Sequence, residues 1–418
     1  MVKNKTREIQ NAVSNMKQSV LRFAERISEG MKTPRKNFVA DMLYGMMVSQ
    51  DVKLSKIGEA LKEGIELKHT EERLRRNVNN FNTEEIEIVS NNYMKKVKAK
   101  CKKDTLIIVD GGDLTKPYGS KFEGLCKVRD GSTGKIEKGL PTVGMIALTD
   151  DKLPLPIYDN IYSYEKDFVS ENHETFKALD FADKHFSKDN IRVFDRGYDS
   201  SIITGKLLES KVKFIVRLCE RTVIFNGEKV SVSELAKKSA GEYSLDFVSK
   251  KGKKKHCEVS VMSIKLPNFK EETFNLVVCK GYANEPMMLI TNVFDDDNAI
   301  CKTLVKCYLL RWKIEEFYRF KKVTFNFEDI RVMSLKGMNN LNFFLNILIG
   351  FLSMKSTEGQ DKPIIVSLIN QVKRIYKDTK NVLYTVCAGL KKVFAIVNTG
   401  IADPTPDFSS GFVQLCFG

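Results

Sequence analysis

The chain has no long apolar run. Its longest, Leu341 to Leu352 (LNFFLNILIGFL), carries two asparagines and falls short of the roughly 20 residues that cross a bilayer, so it reads as a buried core helix. The opening residues, MVKNKTREIQNAV, lack the apolar stretch of a signal peptide, and an intracellular protein is expected. Nine cysteines are scattered from Cys101 to Cys416 without a CxxC pair. That odd, dispersed set excludes a disulfide framework and implies reduced thiols. The four histidines, His69, His173, His185 and His256, stand far apart with no HxxxH or Cys/His grouping, which argues against zinc. Gly131 to Lys135 (GSTGK) lacks the upstream glycine and the Ser or Thr after lysine that a phosphate loop needs, and reads as a turn.

What is present is apolar material and positive charge. With 418 residues, 42% apolar and 10% aromatic, the chain can bury a large core and is long enough for two or more domains. Lys plus Arg number 68 against 53 Asp plus Glu, a net charge of +15. Such an excess favours a polyanionic partner, nucleic acid or an acidic membrane surface, and no spanning segment supports the membrane.

Residues 1–103 carry polar and apolar positions at helical spacing, with no proline after Pro34, and 22 basic against 13 acidic side chains. Within them Leu54 to Phe81 reads as a helix, a glycine-containing break and a second helix bearing Arg73, Arg75 and Arg76. This is either a helix-turn-helix that contacts DNA or a plain packed pair. From Thr105 the texture changes. LIIVD is a short apolar strand ending in Asp110 at a glycine-rich turn, followed by strands at Pro141 to Leu148 and Leu153 to Ile161. A helix over 167–186, a strand at Ile191 to Phe194 ending in Asp195, a helix at Ser200 to Leu208 and a strand at Lys213 to Leu218 complete an α/β order.

Thr222 to Leu289 alternates apolar and polar residues and reads as a β-rich insertion. Lys250, Lys251, Lys253, Lys254 and Lys255 surround Gly252 in an expected hairpin loop, either a clamp on a nucleic-acid backbone or a solvated turn. Beyond it lies Tyr308 to Lys322 (YLLRWKIEEFYRFKK). On one helix at about 100° per residue, Tyr308, Arg311, Glu315 and Lys322 fall within roughly 60° of one another, with Leu310, Ile314 and Phe317 opposite. One face thus carries a phenol, two cations and a carboxylate. Either strand-end aspartate alone reads as a cap or turn former. Asp110, Asp195 and Glu315 together in a basic protein suit a hard divalent ion, Mg²⁺ or Mn²⁺, and phosphoryl transfer on nucleic acid.

On these residues the chain resembles a DDE transposase of the insertion-sequence 4 family. That family's Y-(2)-R-(3)-E-(6)-K signature is matched without a gap by Tyr308, Arg311, Glu315 and Lys322, while IIVDGGDLTKPYG offers Asp110 and VFDRGYDS offers Asp195. Asp113 competes with Asp110, Glu316 is a weaker rival to Glu315, and Gly112 stands where relatives more often have Thr. The resemblance spans residues 35 to 355 and implies an α/β, ribonuclease H-like mixed-sheet core. In that reading 104–218 is the first part of the core, 219–289 the β-rich insertion domain, and 290–355 the second part with the signature helix. Helical regions at 1–103 and 356–418 flank it, the first for DNA binding and the second for dimer contacts.

The resemblance further implies Asp110, Asp195 and Glu315 as catalytic metal ligands for Mg²⁺ or Mn²⁺, as a pair of ions. Tyr308, Arg311, Lys322 and Arg196 would contact phosphates. Trp312 would stack on a displaced base or serve as packing. The implied partners are double-stranded transposon ends and target DNA, handled by a homodimer at the nucleoid in the bacterial cytoplasm. The expected activity is metal-dependent cleavage at transposon ends and transfer of the freed 3′-hydroxyl. A catalytically silent DNA-binding regulator and a structure-selective nuclease of the same fold are the alternatives.

Overall fold

The computed structural model describes residues 2–131, 133–248, 254–294, 299–357, 362–372 and 382–403. Five helices come first: α1 (Val2–Ile27), α2 (Thr33–Ser49), α3 (Leu54–Leu61), α4 (Leu67–Asn80) and α5 (Thr83–Lys98). Local sequence sets their ends. Pro34 sits in the first turn of α2, and Asn82 with Glu85 closes a capping box at the start of α5.

The core follows as β1 (Ile107–Thr115), β2 (Cys126–Arg129), β3 (Ile136–Leu148), β4 (Pro154–Ile161), α6 (Glu171–His185), β5 (Arg192–Phe194), α7 (Ser201–Glu209) and β6 (Phe214–Arg217). Strand β3 runs antiparallel between β1 and β4, while β5 and β6 join parallel to β1. The order β4-β3-β1-β5-β6 is the mixed sheet expected of a ribonuclease H-like core. Apolar residues Ile107, Ile108, Val109, Val193 and Phe194 are buried in its centre, so the strands that lead into Asp110 and Asp195 are anchored by their own side chains.

Residues beyond β6 extend this same sheet. Strands β7 (Thr222–Phe225), β8 (Glu228–Ser231), β9 (Tyr243–Val248), β10 (Lys254–Leu266), β11 (Phe269–Lys280) and β12 (Met287–Thr291) follow, with a short helix α8 (Val232–Lys238) after β8. Because β12 pairs with β6, the twelve strands among the described residues form one sheet. The expected lysine loop lies largely outside the described residues, Lys251 and Lys253 included; Lys254 and Lys255 open β10.

The chain then returns to helix with α9 (Ala299–Leu309), α10 (Trp312–Phe325), α11 (Leu335–Thr357), α12 (Lys362–Val372) and α13 (Val382–Val397). Helix α11 contains the longest apolar run and packs on β4 and α2. Two of its asparagines are tied inside: Asn340 Nδ2 donates to the Val78 and Phe81 carbonyls at 2.8 and 2.9 Å, and Asn342 Nδ2 to the Asp159 carbonyl at 3.0 Å. No helix among the described residues is long and apolar enough to cross a membrane.

Two expectations are corrected. Strand β1 does not stop at Asp110: it continues through Gly111, Gly112 and Asp113 to Thr115, paired residue by residue with β3. At Gly112 a side chain would meet the Thr142 hydroxyl and the Tyr318 ring, so glycine lets the strand pass beneath that aromatic. The signature helix is not one helix but two. Its winding tightens at Leu310 and Arg311, where Arg311 N donates to Tyr308 O, Lys313 N to Leu310 O and Ile314 N to Arg311 O. These i to i+3 bonds belong to a 3₁₀-like turn, and they end α9 before α10 starts.

Candidate active site

Three carboxylates meet at one guanidinium. Arg311, at the entry to α10, donates from Nη1 to Asp110 Oδ2 at 2.7 Å and from Nη2 to Glu315 Oε1, and its Nε stands 3.9 Å from Asp195 Oδ1. Asp110 comes from the middle of β1, Asp195 directly follows β5, and Glu315 lies in the first turn of α10. The break between α9 and α10 places Glu315 near the positive end of a helix, which favours its negative charge. Two rigid parallel strands and one helix therefore fix the trio.

Each carboxylate differs in setting. Burial pushes the Asp110 carboxyl up to about 7, against Arg311, while Asp195 and Glu315 add to the rise. Burial also opposes charge on Asp195, but Arg311, the Arg196 backbone N–H and the Tyr308 hydroxyl outweigh it and hold that group below the usual carboxylate range. Tyr308 is buried, and its Oη donates to Asp195 Oδ1 at 3.0 Å. Glu315 is the exposed member of the three. Although burial opposes charge on Arg311, its pKa is raised further by Asp110, Asp195 and Glu315.

The rival carboxylates lie elsewhere. Asp113 Oδ2 accepts from Lys322 Nζ at 2.8 Å and its Oδ1 from the Gly131 N–H at 3.0 Å, so it ties α10 and the β2–β3 turn to β1. Lys322 also meets Glu328 Oε1 at 2.9 Å. Glu316 points to the other flank of α10, where it lines a small cleft with Tyr384 of α13.

The remaining sequence candidates divide. Arg196 is exposed beside Asp195, and Trp312 is half-buried under the Lys313 ammonium, 4.5 Å from the ring centroid. In α4, Arg73 is committed to Asp41 at 2.7 Å and Glu63 at 2.6 Å, whereas Arg75 and Arg76 are exposed. Arg75 lines a groove of about 540 Å³ together with Lys53, Arg331 and Lys336.

Residues passed over in the sequence also shape the site. Tyr318 donates from its hydroxyl to the Asp110 carbonyl at 2.8 Å and covers Gly112 and Gly144. A signal was there: Tyr318 lies about 60° from Glu315 on the same stripe. Lys321 is buried and pairs with Asp159 and Asn342, and Lys116 reaches the Glu328 and Ile330 carbonyls. These fasten α10 and the segment after it to β4 and β1.

Hard oxygen donors without histidine or cysteine suit Mg²⁺ or Mn²⁺. As they stand, no three Asp, Glu, His or Cys side chains among the described residues are gathered closely enough to hold an ion. The trio is gathered on Arg311 instead.

A mixed sheet presenting two aspartates and a helical glutamate to one point defines an α/β protein with a carboxylate-centred site. The chain belongs to the transposase DDE domain family, whose profile matches residues 102–350, more than half of its length. It is thus a DNA transposase of the DDE class. It is also similar, at 11% identity and a TM-score of 0.41 over 91% of this chain and 84% of that chain, to a piggyBac transposase in the cryo-EM structure of its synaptic complex with hairpin DNA. A likeness that distant carries no argument about function. No curated protein sequence matches the chain.

Proposed function

We propose that this transposase is of the insertion-sequence 4 type and cuts DNA at the ends of its element in a reaction that requires divalent metal, joining the freed 3′-hydroxyl to target DNA. The observation that carries the proposal is the convergence of Asp110, Asp195 and Glu315 on one cationic group. These three would hold Mg²⁺ or Mn²⁺, as a pair of ions. When bound, such ions activate a water or a 3′-hydroxyl and stabilise the leaving oxygen. The chain's own residues then have separable tasks. Tyr308 orients Asp195 through its hydroxyl, and Tyr318 fixes the Asp110 backbone. Arg311 and Arg196 supply positive charge for the scissile-strand phosphates, with Trp312 and Lys322 alongside.

The groove with Lys53, Arg75, Arg331 and Lys336 would take the duplex flanking the cut, and exposed Arg76 would add a contact. Two copies acting as a homodimer would bring two element ends together inside the bacterial cell. The test is cleavage of end-labelled DNA spanning the element terminus with Mg²⁺. Wild type is expected to leave a 3′-hydroxyl at the terminus, and Glu315→Ala to bind that DNA without cutting it. Equal cutting by both would refute the role of Glu315.

A further inference from the structure

Arg311 gives two hydrogen bonds and a longer ion pair to the acidic trio. Its Nη1 is 2.7 Å from Asp110, its Nη2 is bonded to Glu315, its Nε is 3.9 Å from Asp195, and its side chain is only 14% exposed. The other signature cation is not available for this work, because Lys322 is engaged by Asp113 and Glu328. One guanidinium thus offsets three carboxylates that would otherwise repel one another.

A divalent ion held by the trio would draw on the same carboxylates. An oxygen that accepts from a guanidinium at 2.7 Å faces a cation that repels a metal arriving on the same side, and low solvent exposure strengthens that repulsion. The two cations therefore compete for one set of donors. Arg311 also sits in the 3₁₀-like turn between α9 and α10, and a rotation of its side chain off the trio would break none of that turn's backbone bonds. Once released it needs another planar anion, and a phosphodiester matches its fork.

We propose that Arg311 is a latch that couples metal loading to DNA engagement: it clasps Asp110, Asp195 and Glu315 in the DNA-free protein and hands them over as it moves to a substrate phosphate. The latch rests on the reading of the trio as metal ligands. By linkage, DNA that draws Arg311 away must tighten metal binding, and metal must tighten DNA binding by the same factor. The arrangement keeps the nuclease centre poorly loaded until DNA is present.

The test is Mn²⁺ binding to the full chain, followed by electron paramagnetic resonance of free Mn²⁺, with and without a short DNA duplex. Without DNA, Arg311→Gln should bind Mn²⁺ about tenfold or more tighter than wild type. The tightening caused by duplex should be several-fold smaller in Arg311→Gln than in wild type. Thermal unfolding gives a second readout: Arg311→Gln should lose stability in chelator and recover it with Mn²⁺ to a greater extent than wild type. If Arg311→Gln does not fold, Arg311→Lys, which cannot span three carboxylates, should show the same tightening in weaker form.

Mn²⁺ affinity that is unchanged or lower in these variants overturns the latch. Asp110→Asn and Glu315→Gln separate that failure from a deeper one. If they weaken Mn²⁺ binding while Arg311→Gln does not strengthen it, the trio holds metal without a latch. If neither affects Mn²⁺ binding, the metal-ligand reading itself falls.

Discussion

Gly144 lies directly under the Tyr318 hydroxyl, and a Cβ there would stand 2.4 Å from that oxygen and 3.2 Å from the carbon bearing it. Because Tyr318 also holds the Asp110 carbonyl, Gly144→Ala must move the ring, β3 or both. Overpacking of this kind costs about 1–3 kcal/mol, to be read as a lowered denaturant midpoint with unchanged slope. Lys321 presents the opposite hazard. Its ammonium and the Asp159 carboxylate are both almost fully buried, so Lys321→Ala leaves a charge without its counterion. A loss of roughly 3–5 kcal/mol is expected in urea unfolding.

Lys116 makes a prediction in pH. Burial pushes its ammonium down to about 8, despite the nearby Asp329 and Glu328 charges. The unfolded chain then binds a proton that the folded chain releases between pH 8 and the ordinary lysine value of about 10.4. Stability supplied by this group is present above that window and lost as pH falls through 8. Wild type should therefore gain on the order of 1–3 kcal/mol relative to Lys116→Met as pH rises across the window. A difference that stays flat would mean Lys116 is not desolvated.

At the scale of elements, α4 carries arginines of two kinds. Arg73 joins Asp41 of α2 and Glu63 of the α3–α4 turn, so Arg73→Gln should destabilise the fold by about 1–3 kcal/mol. Arg75→Gln with Arg76→Gln should change stability by less than about 0.5 kcal/mol yet weaken DNA binding and lower its salt slope by about 2. Sequence alone could not divide these three, because helical spacing says which face a residue occupies and not which carboxylate waits there. The strand and helix order of the core was legible, since LIIVD and the strands near Pro141, Leu153 and Lys213 are short apolar runs between polar turns. The continuation of β1 through Gly111 and Gly112 was hidden, as those glycines look like a turn until Tyr318 and Thr142 are seen to crowd Gly112. Strand β2, four residues alternating buried and exposed, gave too short a pattern to register. Tyr308, Arg311, Glu315 and Lys322 were read as one face of a single helix, which the break at Leu310 and Arg311 divides. Their pairing with Asp195, the trio and Asp113 was not, because it depends on strands far away in sequence.

For the whole molecule, the sheet and the helices bring oppositely charged groups from distant segments together: Asp110 from the middle of β1, Asp195 after β5, and Arg311 with Glu315 at the start of α10. Residues 1–103 carry 22 of the 68 basic side chains, which places much of the positive charge in the helices that precede this centre. Long-range attraction to a polyanion follows from that excess, and the proposed chemistry rests on the carboxylates. The two can be separated by salt and metal. Raising ionic strength should weaken DNA binding by wild type and Glu315→Ala alike, whereas chelating divalent metal should stop cutting and leave binding largely intact. The most direct measurement is cleavage of end-labelled DNA spanning an element terminus, with Mg²⁺ or chelator, by wild type and Glu315→Ala. The account predicts a terminal 3′-hydroxyl with wild type and Mg²⁺ alone; cutting by Glu315→Ala, or by wild type in chelator, would contradict it.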